Sequence, residues 1–440
     1  MAKHTKHSML LAAWLALGYM LEVLPTHGHL QEVPQNSNSA TPGESTQGRQ
    51  LRQLRQADLW SVPAESAQAV GSQPCPAQFD RMNVADVAAG AKPYVFGGDQ
   101  RPTCQACKSN NDRAQYCRYE RFAEPPICPK YEQERLAQYF VKQALAGSQN
   151  AQGLLELTPC DFWPLIQGRS LWLFGDSITM EMFHGTTCFF YELWIDFQRQ
   201  PVSKDQSVID FLMKDSGLPP NWEPWCAVLP QNTRICHVRV NKADYFMKQL
   251  VPSLHRILEP HDLIILNFGL WYNDAPEFRQ VMLDFEVSWR EAQKKFPYLM
   301  AWRETSPQHF PLSEVGDFQG SWEPPHFPCK PVGGDESAIQ LDPVTGHLST
   351  LRPDLEGVLR GNSRNQASTP VIERLGIPIM PAWNQSVPLW FLHHHHHSSG
   401  SHLGYNNGDC THHCQPGMYQ TWLYQLHTTL AQLHAHKQAS

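Results

Sequence analysis

The stretch Leu171–Met180 reads LWLFGDSITM. Leu171 to Phe174 are apolar in succession, the pattern of a buried strand. Gly175 then turns the chain, and Ile178 to Tyr191 carries helical spacing. Ser177 therefore falls at the carboxyl end of a strand, where the following helix begins. In an open α/β sheet ligands bind beyond such strand ends. The free N–H groups of a helix start favour negative charge there.

Working outward, the same alternation recurs. Asn241 to Leu258 is amphipathic, and HDLIILNFG (His261–Gly269) is an apolar run between polar ends. Pro276 to Phe296 has helical spacing; YLMAWRETS (Tyr298–Ser306) and IPIMPAW (Ile377–Trp383) read as strands. MYQTWLYQLHTTLAQLHAHK (Met418–Lys437) is a last amphipathic helix. Strands alternating with helices predict an α/β fold with a mainly parallel sheet in a three-layer sandwich. Pro311 to Leu375 is polar and rich in Pro and Gly, and reads as loops or an insertion.

The chain has 440 residues and a formal charge of -7, which argues against a nucleic-acid binder. Lys3 and Lys6 precede an apolar run from Met9 to Leu21, so residues 1–26 read as a signal peptide or signal anchor. Residues 27–74 are rich in Gln, Ser, Pro and Gly and predict a disordered stem. Cys75, Cys104, Cys107, Cys117 and Cys128 crowd the start of the segment 75–169. In a secretory chain they read as disulfides of a cap on the main domain, although CQAC is also a zinc spacing. Tyr131 to Gly147 has helical spacing. The catalytic domain is expected over 170–440. Asn384-Gln385-Ser386 is an N-glycosylation sequon.

A serine needs a base, and the base an orienting group, before it is a useful nucleophile. NNGDCTHHCQPG (Asn406–Gly417) places Asp409 three residues before His412, just ahead of the last helix. A short loop can set the carboxylate on one imidazole nitrogen and leave the other facing outward. Ser, Asp and His then follow in one of the chain orders used by triads. Each motif also has a plainer reading. Ser177 could simply cap its helix, and DxxH could be a surface loop held by Cys410 and Cys414.

Taken together, GDS after a buried strand and DxxH before a terminal helix resemble the GDSL/SGNH hydrolase superfamily. LWLFGDSITMEMFHGTTC, HDLIILNFGLWYND, WRETSPQHF and NNGDCTHHCQPG are similar to its PC-esterase branch, which holds the trichome-birefringence-like polysaccharide O-acetyltransferases. The resemblance covers about Cys75 to the C-terminus. It implies an SGNH-like α/β/α sandwich and an acyl-serine intermediate on Ser177, with Asp409 and His412 completing the triad. It also implies an acyl donor, a poly- or oligosaccharide acceptor and no cofactor, in a Golgi type II membrane or secreted protein. An esterase with the same triad is the alternative, and an idle glycan-binding module a third reading.

The superfamily's oxyanion asparagine is displaced here. Gly269-Leu270 is followed by Trp271, and Asn273-Asp274 come two places late, so Asn267 and Asn273 are both candidates beside Gly175. Asp176 reads as a turn-fixing carboxylate. Arg303 and His309 follow a strand end and are candidates for the cleft wall, and Trp271 for stacking on sugar. His393–His397 reads as a solvated run and His413 as a surface or cleft-wall residue; no metal ligand set is expected.

Overall fold

β1 (Ser170–Gly175) is the middle strand of a seven-stranded sheet, and all of it is buried. The computed structural model describes residues 82–91, 93–96, 128, 130–191, 198–214, 224–296, 298–318, 329–394 and 409–439, which fall in the unit Pro63–Ser440. The next strands are β2 (Gln198–Pro201), β3 (Trp225–Leu229), β4 (Thr233–Arg239), β5 (Leu263–Leu266) and β6 (Leu299–Arg303). A small hairpin of β7 (Gln340–Leu341) and β8 (Leu348–Ser349) precedes β9 (Ile379–Met380). The order across the sheet is β2-β3-β4-β1-β5-β6-β9. β4, β1, β5, β6 and β9 are parallel, and β3 and β2 extend the sheet antiparallel.

Side chains alternate across a strand, and here each face has its own core. Leu171, Leu173, Ile235, Leu263 and Ile265 join one cluster with the helices Lys130–Leu145, Gln149–Glu156, Pro159–Ile166, Ser177–Tyr191 and Met418–Ala439. Trp172, Phe174, Val238, Ile264 and Leu266 join a second with the irregular helical stretch 243–256 and the helices Ala275–Lys295 and Ser363–Arg374. Both faces being covered explains why Leu171–Phe174 of β1 and all of β5 are apolar. Burying each such side chain contributes about 1.5–3 kcal/mol. The fold is α/β with a mostly parallel central sheet, as the alternation predicts.

Two features depart from the sequence reading. The stretch Pro311–Leu375 is not loops throughout: Ser363–Arg374 is a helix, capped by Asn362, whose side chain accepts from Asn365 N–H. The Asn365 side chain also bonds both the N–H and the carbonyl of Thr305, each at 2.8 Å, which ties this helix to the exit of β6. Second, β3 and β4 form an antiparallel hairpin that no alternation signalled, closed by the disulfide Cys226–Cys236. The segment 75–169, expected as a Cys-rich N-terminal part of the catalytic unit, contributes helices that pack on the sheet. Cys75, Cys104, Cys107 and Cys117 lie outside the described residues, but Leu136, Leu154, Phe162 and Ile166 belong to the core of the sheet itself.

The N-terminal segment 1–26 and the stem 27–74 also lie outside the described residues. No described helix is long and apolar enough to cross a membrane.

Candidate active site

The turn after β1 is built by Gly175 and Asp176. A Cβ on Gly175 would come within 2.1 Å of Thr179 Oγ1 and 2.7 Å of the Asn267 carbonyl, so only glycine lets the chain pass. Asp176 is fully buried, and its Oδ1 accepts from the N–H groups of Ile178 (3.0 Å) and Thr179 (3.3 Å). Asp176, rather than Ser177, thus caps the helix. The Asp176 carbonyl takes the Met180 N–H at 3.0 Å. The first turn is thereby satisfied except at Ser177. That residue is partly exposed, and its hydroxyl makes no hydrogen bond among the described residues.

Asp409 and His412 lie on a short strand, β11 (Asp409–His413), paired antiparallel with β10 (His393–His394). The sequence placed them in a loop; the backbone is extended there instead. Asp409 Oδ1 accepts from the N–H groups of Thr411 and His412, both at 3.0 Å. Its Oδ2 accepts from His412 Nδ1 at 2.7 Å. The backbone clamp aims one carboxylate oxygen at the imidazole Nδ1 and favours one tautomer of the ring. Burial disfavours a charged His412, but the Asp409 and Glu181 carboxylates outweigh this and raise its pKa to about 9.

Both ends of β11 are stapled. Cys410 is bonded to Cys329 and Cys414 to Cys128, 81 and 286 residues away in sequence. Thr411 is held from the side as well. Its hydroxyl accepts from Gln308 Nε2 at 2.8 Å, and Gln308 Oε1 accepts from Arg364 at 2.9 Å. The buried Arg364 continues to the Tyr272 carbonyl at 2.7 Å and to Asn273 Oδ1 at 3.1 Å. This polar chain runs from β11 to the loop after β5. Its members Gln308 and Arg364 were not singled out in the sequence.

Glu181 joins the two halves. It lies one turn beyond Ser177 on the same helix, within electrostatic reach of His412 and Asp409. The Tyr419 hydroxyl donates to its carboxylate, and Gln415 Nε2 donates to its carbonyl at 3.4 Å. Burial pushes its pKa up to about 7, against the pull of His412 and Tyr419. A carboxylate four residues after the serine, in GDSITME, was the signal that could have revealed it. The Ser177 helix and the Asp409–His412 strand therefore meet at Glu181, with no hydrogen bond between Ser177 and His412 themselves.

The remaining candidates divide. Asn267 is spent on the scaffold: its Nδ2 donates to the Arg303 carbonyl (2.8 Å) and Thr305 Oγ1 (3.1 Å), and its Oδ1 accepts from Gly269 N–H at 3.3 Å. It has no N–H left for an oxyanion. Asn273 is exposed, with its oxygen on Arg364, and Trp271 is 49% exposed in the same loop. Arg303 is buried, 5.0 Å from the Trp422 ring and 3.1 Å from Thr179 Oγ1, so it braces the first turn of the Ser177 helix rather than lining a cleft. His309 is also buried, and desolvation lowers its pKa to about 4.

His393 and His413 are fully buried too, where a solvated run and a surface or cleft-wall residue were expected; His395–His397 lie outside the described residues. Within the sequon, Asn384 Nδ2 donates to the Gly346 carbonyl at 3.0 Å, and Ser386 is buried with its hydroxyl donating to the Ala382 carbonyl. No protein-family model matches the chain, and no curated protein is significantly similar to it.

Proposed function

We propose that this chain is a serine acyl-transfer enzyme of the SGNH type that moves an O-acyl group, acetyl in the simplest case, onto carbohydrate hydroxyls. The observation that carries this reading is the Asp409 clamp: a backbone-held carboxylate 2.7 Å from His412 Nδ1, on a strand stapled beside the helix that Ser177 opens. In the reaction the neutral form of His412, which gains population as the pH rises towards its raised pKa, takes the Ser177 hydroxyl proton on Nε2 as the serine oxygen attacks the donor's acyl carbonyl. Asp409 stabilises the imidazolium. The Ser177 N–H, which Asp176 leaves unused, donates to the oxyanion. His412 returns the proton to the leaving group. A sugar hydroxyl then gives its proton to His412 and attacks the acyl carbon, the serine ester bond breaks and His412 returns the proton to Ser177 Oγ, so kinetics are ping-pong.

Trp271, exposed beyond β5 at the same end of the sheet, is the surface on which a sugar ring would stack. Disulfides agree with an oxidising lumen, and residues 1–26 with entry to the secretory pathway as a Golgi type II membrane or secreted protein. Hydrolysis by the same residues is the second reading. It is favoured by the 22% exposure of the His412 side chain, which gives water a route to the base.

Incubating the full-length protein with an activated acetyl ester and a mixed oligosaccharide panel separates these readings. Acetylated sugar supports transfer, and acetate alone supports hydrolysis. Turnover that survives in Ser177→Ala would remove the nucleophile assignment.

A further inference from the structure

Three histidines pack together behind the Asp409–His412 pair. His309 follows β6, His393 opens β10 and His413 ends β11. All are fully buried, and one ring nitrogen of each lies within 4.8 Å of those of the others. The His393 ring centroid is 3.8 Å from that of His413 and 4.8 Å from that of His309.

The directions of the hydrogen bonds decide what belongs between them. A carbonyl oxygen can only accept. His309 Nε2 lies 3.0 Å from the Val387 carbonyl, so Nε2 carries that ring's proton. His393 Nδ1 lies 2.9 Å from the His412 carbonyl, so Nδ1 carries its proton. A neutral imidazole has one such proton. The two remaining nitrogens, His309 Nδ1 and His393 Nε2, therefore both present lone pairs, and they face each other at 2.6 Å. Something positive has to stand between them. A shared proton would create an imidazolium in a site shut off from water, which desolvation disfavours. A metal ion satisfies both lone pairs, and His413 adds a third ring at the same point. A ligand histidine whose other N–H is held by a backbone carbonyl is the usual support of a metal site, and two of these three have it.

We propose that His309, His393 and His413 bind a divalent transition-metal ion of the zinc class through three imidazole nitrogens. With metal–nitrogen bonds of about 2.0–2.1 Å, tetrahedral ligands stand about 3.3 Å apart, so binding opens the facing pair slightly. The ion would join the exit of β6 to the β10–β11 hairpin and so hold the strand that carries Asp409 and His412. Its role is structural, and it holds whether or not the acyl-transfer reading does.

The test uses purified full-length protein, stripped with chelator and titrated with zinc. One ion per chain is expected, with a nitrogen-dominated coordination shell by X-ray absorption and a melting temperature that rises on loading. His309→Gln, His393→Gln and His413→Gln should each weaken zinc binding by at least about 100-fold. Replacing His394–His397 with alanine should leave it unchanged. The proposal fails if wild-type protein takes up no zinc. It fails equally if the alanine replacement abolishes uptake while His413→Gln retains it, because the ion would then belong to the adjacent histidine run. The uptake and absorption measurements need no variant, so misfolding of one cannot shelter the proposal.

Discussion

β1 and β11 are both largely buried, but different forces hold them. Leu171 to Phe174 have no exposed surface, pair with a parallel strand on each side, and meet apolar residues on both faces. β11 pairs with a two-residue strand through an irregular register. It is fixed by two disulfides, the Gln308–Thr411 hydrogen bond and the packed histidine rings. Apolar burial is non-directional and makes the sheet stable. Covalent and polar links are directional and can aim a single imidazole. The region that carries the fold and the region that aims the chemistry should therefore respond differently to mutation.

The largest expected effect separates chemistry from stability. Asp409→Asn keeps an oxygen for the backbone clamp but loses the carboxylate that favours the working tautomer, and should lower acyl turnover by about 10⁴-fold. Its thermal unfolding should stay close to wild type; a rate within tenfold of wild type would break the assignment. Next comes the sheet. Phe174 stacks on Trp172 at 5.9 Å and meets Phe246 edge-on, so Phe174→Ala should cost about 3–5 kcal/mol in denaturant unfolding. Removing the Cys329–Cys410 bridge by a double serine substitution should cost about 2–4 kcal/mol. Turnover should then fall at temperatures where the far-ultraviolet spectrum of the sheet is still intact; simultaneous loss of both would erase the contrast. Trp271→Ala should be smallest, within about 0.5 kcal/mol of wild-type stability, with oligosaccharide affinity reduced several-fold in calorimetry.

The same contrast explains what could be read from the chain. β1, β5 and the Ala275–Lys295 helix announced themselves, because apolar runs and 3.6-residue spacing record burial directly. The Ser363–Arg374 helix stayed hidden since its buried side carries Arg364, Asn365 and Ser368, and Pro370 interrupts it. The β3–β4 turn uses Gln231 and Asn232 at φ 57° and 59°, without the glycine that usually marks such a turn. At the site, Asp409 and His412 were legible because three residues of chain bring them together. Gln308 and Arg364 were not, because their partners are distant in sequence, and Glu181 carried only its spacing of four from Ser177. Asn267 fitted a motif position, but only the coordinates reveal that both hydrogens of its amide are used. His393 looked solvated for the same reason: polarity predicts exposure until the partners are known.

The Cys128–Cys414 bond spans 286 residues. Synthesis runs from the N-terminus, so Cys128 must wait for 286 further residues before its mate exists. Cys226 and Cys236, ten residues apart, can join long before. Once closed, the long bridge makes everything between its ends a covalent circle. A protease that nicks the circle once yields two pieces that travel together on a gel until a reductant is added, and the strand bearing Asp409 and His412 is retained by both the cut and the uncut molecule.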